Sequence, residues 1–139
     1  MLRLFAIALL TVQLGTAQNV TNLQWWNSPV RNDLGLNQEQ TQKVREIVRS
    51  FRSRLLDARN NANKAEGELE DVFNDNEVNS KQATQAINKL AAARAESSRV
   101  FLQMSVQLRS VLTLDQWRTL IRRSDEIRRR RAADTQVPP

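Results

Sequence analysis

Apolar residues recur at alternating steps of four and three along two long stretches of this chain. In the first stretch they occupy positions 44, 48, 51, 55, 58, 62, 65, 69 and 72. In the second, the same rhythm covers positions 83, 87, 90, 94, 97, 101, 104, 108 and 111, with Arg94 and Ser97 as polar members. This spacing is typical of the seam between helices that pack as a coiled coil. The pattern therefore predicts two long helices, each with one narrow packing face.

A short polar run, Asn74–Glu77, separates the two predicted helices. The first helix is expected from Asn37 to about Phe73, and the second begins after its N-cap, Asn79, with Gln82 in the capping-box position. So short a connection makes the two helices antiparallel. The resulting hairpin should contain four facing pairs: Val72 with Ala83, Leu69 with Ile87, Leu55 with Phe101, and Val44 with Val111.

One short motif occurs at the start of the first long helix and again after the second. Each copy has a Leu, then a residue suited to an N-cap, then a Gln three positions further on. The cap side chain accepts a hydrogen bond from the first turn, and the Gln reaches back to the N–H of the cap. The motif predicts two helix starts, formed by Leu36, Asn37 and Gln40 and by Leu112, Thr113 and Gln116.

Shorter helices are predicted on both sides of the hairpin, which makes the expected fold class all-α. Ser28 and Pro29 favour a helix start and Gly35 favours its end, while a final helix should run from Thr113 to Arg131. These segments carry large apolar residues that have no place on the hairpin seam. We expect them to pack against its open end: Trp25, Trp26, Trp117, Leu120 and Ile121.

The first 17 residues have the features of a secretory signal peptide, with a buried N-terminal helix as the alternative. Arg3 supplies positive charge, residues 4–14 are mainly apolar, and Gly15-Thr16-Ala17 suits cleavage after Ala17. The apolar stretch is shorter than the roughly 20 residues of a transmembrane helix. We therefore expect an exported protein with a signal peptide (1–17), a lead-in and short helix (18–35), a hairpin plus C-terminal helix (36–131) and a disordered tail (132–139).

The composition excludes several kinds of functional site. The 139 residues include no His and no Cys, so a disulfide and a thiol nucleophile are impossible and the commonest general base is missing. Met104, the one Met that follows the predicted signal peptide, falls on the seam. Isolated Asp and Glu residues on exposed helix faces do not make an acid–base pair. We expect a binding protein with no enzymatic activity, no cofactor and no metal.

A basic stripe flanks the seam of the first long helix, again at steps of four and three. The antiparallel second helix brings its own flank alongside. A cationic surface with isolated apolar residues suits weak, adaptable contact with unfolded polypeptide, although such a stripe can also be only a solvated helix face. The candidate binding residues are Arg45, Arg49, Arg52, Leu56, Arg59, Leu102 and Arg109.

Charge is unevenly distributed along the chain, whose net charge is +6. Removal of Arg3 with the signal peptide leaves 20 basic and 15 acidic residues, a net charge of +5. Residues 43–59 are mainly basic and residues 64–77 mainly acidic, so an antiparallel homodimer would bring the acidic tip of one subunit near the basic arm of the other. The run from Arg128 to Arg131 suits an anionic membrane, an acidic protein or nucleic acid, and export argues against nucleic acid.

The middle of the predicted hairpin is lined by small side chains. Ala58, Ala62 and Ala65 face a stretch that contains Arg94. One interpretation is a close helix crossing from which Arg94 reaches out to Glu66, and the other is a flexible waist.

The two Leu-Asn/Thr-x-x-Gln motifs, the export signal and the hairpin between the motifs resemble the Spy/CpxP, or LTxxQ, family of periplasmic proteins. The second copy, residues 112–116, matches the family motif in full, and the first has Asn37 in place of Thr. Trp25-Trp26-Asn27 and Leu34-Gly35-Leu36 also resemble the N-terminal segment of the related heavy-metal-resistance branch. The resemblance extends over about residues 25–125.

This resemblance implies a bent-hairpin cradle that dimerises and shields aggregation-prone periplasmic proteins without ATP. It also implies an adaptor role in envelope stress, through contact with a membrane sensor protein. The expected partners are unfolded or acidic periplasmic proteins. The alternative is a regulatory sensor subunit of the metal-resistance branch. Relatives of that type bind nickel, cobalt or zinc through His, Glu and Met, and a chain without His or Cys cannot inherit those ligands residue by residue.

Overall fold

The computed structural model describes residues 24–135, all of whose regular structure is helical. Three α-helices, α1 (Gln38–Asn74), α2 (Ser80–Val111) and α3 (Leu114–Thr135), follow two short 3-10 helices (Trp25–Asn27 and Pro29–Leu34). The α1 and α2 helices form the predicted antiparallel hairpin. The predicted signal peptide with its cleavage site, and residues 136–139, lie outside the described residues. None of the helices described is long and apolar enough to cross a membrane.

The helix starts lie where the capping residues predict them. The Asn37 Oδ1 accepts from the Gln40 N–H at 2.8 Å, while the Gln40 Oε1 accepts from the Asn37 N–H at 3.1 Å. The side chain of Asn79 accepts from the second and third N–H groups of α2. The α3 helix continues to Thr135, so residues 132–135 are helical, where the sequence pattern predicted disorder from residue 132.

The α1 face of the hairpin is the predicted one, since Val44, Phe51, Ala58 and Ala65 are buried at intervals of seven. The α2 face differs at three of its nine predicted seam positions. Its buried or half-buried members there are Ala86, Ala93 and Val100, one residue before the predicted Ile87, Arg94 and Phe101. Val100 is 2% exposed and Ile87 is 52% exposed, so the prediction of Ile87 as a core residue was wrong.

A rotation of α2 accounts for this correction. Both sets of positions keep the alternating rhythm, but Ala86, Ala93 and Val100 are small and let α1 approach closely. The larger Ile87, Arg94 and Phe101 are then displaced to one flank of the interface. Arg94 reaches along that flank to Glu66, with 3.1 Å between Nη2 and Oε1. The predicted contact of Arg94 with Glu66 is therefore present.

Large apolar side chains gather at the open end of the hairpin. Ser28 caps the second 3-10 helix, and Gly35 ends it with φ 59°, in the left-handed region that favours glycine. This segment packs against α3. The buried residues of the cluster at this end include Trp25, Trp26, Leu34, Leu108, Leu112 and Leu120, with Trp117 partly buried against them. The predicted packing of the flanking helices is confirmed for these residues.

Candidate functional site

The two sequence motifs meet at the open end of the hairpin. The second copy forms its own capping box, because the Gln116 N–H donates to the Thr113 Oγ1 and the Thr113 N–H donates to the Gln116 Oε1. The two Gln side chains then bond to each other in both directions, at 2.7 and 3.1 Å. Gln40 also donates to the Val111 carbonyl at 3.0 Å. The motifs therefore join the start of α1 to the α2–α3 corner.

Arg109 strengthens the same corner. Its Nη1 donates to the Leu112 carbonyl at 3.1 Å, and its guanidinium carbon lies 4.9 Å from the centre of the Trp117 ring. A cation in the last turn of α2 is also favourable to the helix dipole. The structure thus places this candidate binding residue in a structural contact between α2 and α3.

An open groove of about 850 Å³ runs along one side of the hairpin, a size within the usual range of ligand pockets. Trp26 and Phe101 contribute aromatic surface to it, with their ring centres 6.0 Å apart. Its lining consists of Gln24, Trp26, Asn27, Val48, Arg52, Leu55, Leu56, Arg59, Ser97, Ser98, Phe101, Leu102 and Met104. The first 3-10 helix, α1 and α2 therefore all contribute to one concave surface, which we call the basic groove.

The basic groove combines cations with exposed apolar surface. Arg52 and Arg59 are its charged lining residues, and no carboxylate belongs to the lining residues just named. Neither arginine forms an ion pair among residues 24–135. Leu56 is 50% exposed and Leu102 is 39% exposed. Such a surface attracts negative charge and can bury apolar side chains of a partner.

The structure brings together four of the seven predicted binding residues, namely Arg52, Leu56, Arg59 and Leu102. Arg45 and Arg49 are exposed on the same stripe of α1, one to two turns nearer the start of the helix and outside the groove lining. Sequence reasoning missed that Trp26 and Phe101 line the groove, because it assigned both residues to packing. The available signal was the difference in size between Val100 and Phe101, since the smaller side chain suits the helix interface and leaves the larger one on its flank.

The donor groups of this chain do not fit a transition-metal site. Imidazole and thiolate are absent from the whole sequence. Met104 is buried in the core, and the described residues contain no cluster of three or more Asp or Glu side chains that could hold a metal ion.

The sequence of the chain matches one known protein family. The model of the heavy-metal resistance family matches residues 4–119, which is most of the chain. The chain belongs to the heavy-metal resistance family, a member of the Spy/CpxP-like group. Proteins of this family are typically periplasmic and are not known as enzymes. No curated protein and no solved structure matches the chain significantly.

Proposed function

We propose that this protein is an ATP-independent periplasmic chaperone or envelope-stress adaptor that binds unfolded protein segments in the basic groove. The observation that carries the proposal is the lining of the groove, where two arginines without carboxylate partners lie beside the exposed Leu56 and Leu102 and the partly buried Phe101. Nothing in this mechanism needs a nucleotide, a metal or a reactive side chain.

The expected binding cycle follows from the two kinds of surface. Arg52 and Arg59 raise the encounter rate with segments that carry Asp or Glu, because opposite charges steer association. Once a segment has docked, Leu56, Leu102 and Phe101 retain its apolar side chains away from water. An open groove makes such contacts shallow, so a bound segment can leave and fold.

Suppression of client aggregation tests this function. The protein, purified after export, is mixed with a chemically denatured client in the absence of ATP, and light scattering is followed at low and high salt. We expect suppression near equimolar ratio that weakens with salt, because the charges of the groove are exposed. Suppression that is absent at every ratio would refute the proposal.

A charge-reversal pair locates the activity. The double variant R52E/R59E should lose most of the suppression while keeping the helical circular dichroism of the parent. The matched control is R130E/R131E, which makes the same change of net charge on exposed α3 residues outside the groove. Equal loss in both variants would show that net charge, and not the groove, is responsible.

The family match favours one second candidate, a regulatory subunit in metal resistance. In that case the protein contacts a membrane sensor protein and does not itself hold the metal, since its donor groups do not fit one. Calorimetry with Ni²⁺, Co²⁺ and Zn²⁺ should then show no specific binding, and a pull-down from envelope membranes should recover one stoichiometric partner. Micromolar metal binding would instead support a sensor that acts directly.

A further inference from the structure

The closed end of the hairpin has the opposite character to the basic groove. Residues 70–78, here called the tip segment, contain four acidic residues and no basic residue. None of these four carboxylates forms an ion pair within the part of the chain that the structure describes. Phe73 is 66% exposed and Val78 is 57% exposed. The tip segment is therefore acidic, apolar and uncovered within one copy.

The tip segment and the groove lie on the same side of the hairpin. Arg52, Arg59, Glu66 and Phe73 follow one another at intervals of seven along α1, so they form a single stripe on that helix. Glu70 lies two heptads beyond Leu56 on a parallel stripe. Two hairpins that face each other through this side would bring an acidic, aromatic end against a basic, apolar groove.

The tip of a copy cannot reach its own groove. Asn74 lies 15 residues beyond Arg59 in the same continuous helix, which is about 22 Å along the axis. The tip of a second copy can reach this groove when a two-fold axis relates the copies. The distance from tip to groove is the same in both copies, so each tip then lies opposite the groove of the other. Both tip–groove contacts then form together and the assembly closes.

We propose that the tip segment of one copy occupies the basic groove of a second copy, so that the protein in its resting state covers its own binding surface. This inference rests on the proposed function of the groove and adds its regulation. The tip presents carboxylates to Arg52 and Arg59 and offers Phe73 to the apolar lining. An unfolded client of similar chemistry competes with the tip, and its binding opens the pair of copies.

Disulfide trapping tests the contact without requiring any client. The chain has no Cys, so single introduced thiols report only the chosen positions. One copy carries Asn74→Cys beside the tip Phe, and a second, differently tagged copy carries Ser98→Cys in the groove lining. The control copy carries Asn61→Cys, an exposed position on the opposite side of α1, since it lies two residues beyond Arg59 and about 200° around the helix.

We expect mild oxidation to link N74C with S98C about tenfold faster than N74C with N61C, because a docked tip holds the two thiols together. Neutralising the tip by E70Q, D71N, D75N and E77Q should remove the difference. Equal rates for S98C and N61C, or an unchanged rate after neutralisation, would overturn the proposal.

The same neutralised tip distinguishes regulation from binding. For this test the variant carries the four neutralising substitutions and no introduced Cys. It should bind an acidic, apolar model peptide about fivefold more tightly than the parent, because competition from the second copy is removed. If trapping succeeds but neither protein binds the peptide, the tip contact stands and the client function fails. If the peptide binds both proteins equally, the self-covering role fails.

Discussion

The side chains of Gln40 and Gln116 form a reciprocal amide pair that joins the two copies of the sequence motif. Each amide also completes the capping box of its own helix, so one side chain satisfies a helix start and holds a second element in place. The pair is half-buried at the open end of the hairpin, where α1, α2 and α3 converge. We expect this contact to set the angle at which α3 leaves the hairpin.

A double-mutant cycle on this pair should show coupling. Gln40→Ala and Gln116→Ala should each lower the free energy of unfolding by about 1–2 kcal/mol, since each leaves a partner amide and a capped N–H unsatisfied. The double variant should cost about 1 kcal/mol less than the added single effects. Urea denaturation measures all three. Gln42→Ala, whose amide bonds only to Glu46 one turn away, is the control and should change stability by less than about 0.5 kcal/mol.

The corrected α2 seam makes a direct comparison possible. Val100→Ala should destabilise the hairpin by about 1–3 kcal/mol, because it leaves space beside α1 in a buried position. Ile87→Ala, which removes more carbon, should cost less than about 0.5 kcal/mol at its exposed position. Thermal unfolding followed by circular dichroism measures both variants. A larger loss of stability for Ile87→Ala than for Val100→Ala would contradict the observed seam.

Arg109 should behave as a structural residue. Arg109→Ala should reduce stability by about 1–2 kcal/mol, because it loses the bond to the Leu112 carbonyl and the contact with the Trp117 ring. Lys at this position should restore part of the loss. In the aggregation assay, well below the unfolding transition, the Ala variant should match the parent; a selective loss of client binding would assign Arg109 to the groove after all.

The predicted basic stripe should divide into two functional halves. Arg52 and Arg59 line the groove, whereas Arg45 and Arg49 lie beside it, so R52E/R59E should weaken client binding far more than R45E/R49E. We expect about a tenfold difference in Kd, since rim charges act mainly on the rate of encounter. Fluorescence anisotropy with a labelled acidic peptide measures it. Equal effects of the two double variants on Kd would show that all four arginines contribute alike to binding.

Acid should weaken the hairpin through Glu68. Its hydrogen bond with the Lys89 ammonium lowers the pKa of the Glu68 carboxyl below the ordinary value of 4.5. Because the folded pKa is the lower one, the stabilisation is present at pH above 4.5 and is lost as the pH falls through the folded pKa. Glu68→Gln should therefore be less stable than the parent at pH 7 and equal to it at pH 2. Glu70→Gln, at a residue without an ion pair among those described, is the control and should match the parent in thermal melts at pH 7.

The helix starts and the hairpin were predictable because their signals are local. Asn37, Asn79 and Thr113 cap their helices through bonds to residues two or three positions away, and the short turn allows only an antiparallel return. The rotation of α2 was not predictable in the same way. Two sets of positions one residue apart carry the same rhythm, and only the close approach of α1 selects the smaller one.

Only part of the groove lining was predictable from the sequence. Its arginines and leucines follow from the periodicity of α1 and α2, but Trp26 belongs to a segment whose position depends on how the chain packs across the open end. The meeting of Gln40 with Gln116 likewise joins residues 76 positions apart. Each motif is visible as a capping box, and their contact depends on the three-dimensional fold.

The uneven size of the seam residues has a consequence for how the molecule opens. Toward the tip the buried positions are Ala65, Ala86 and a single larger residue, Leu90, while the open end is filled by Trp, Leu and Met side chains. Because alanine buries little surface, backbone amides near the turn should exchange with solvent through local opening, and those at the open end only through global unfolding. The hairpin would then stay rigid at its open end and deform near the turn. Such local flexibility would let the proposed binding surface adapt to unfolded segments of different size without loss of the fold.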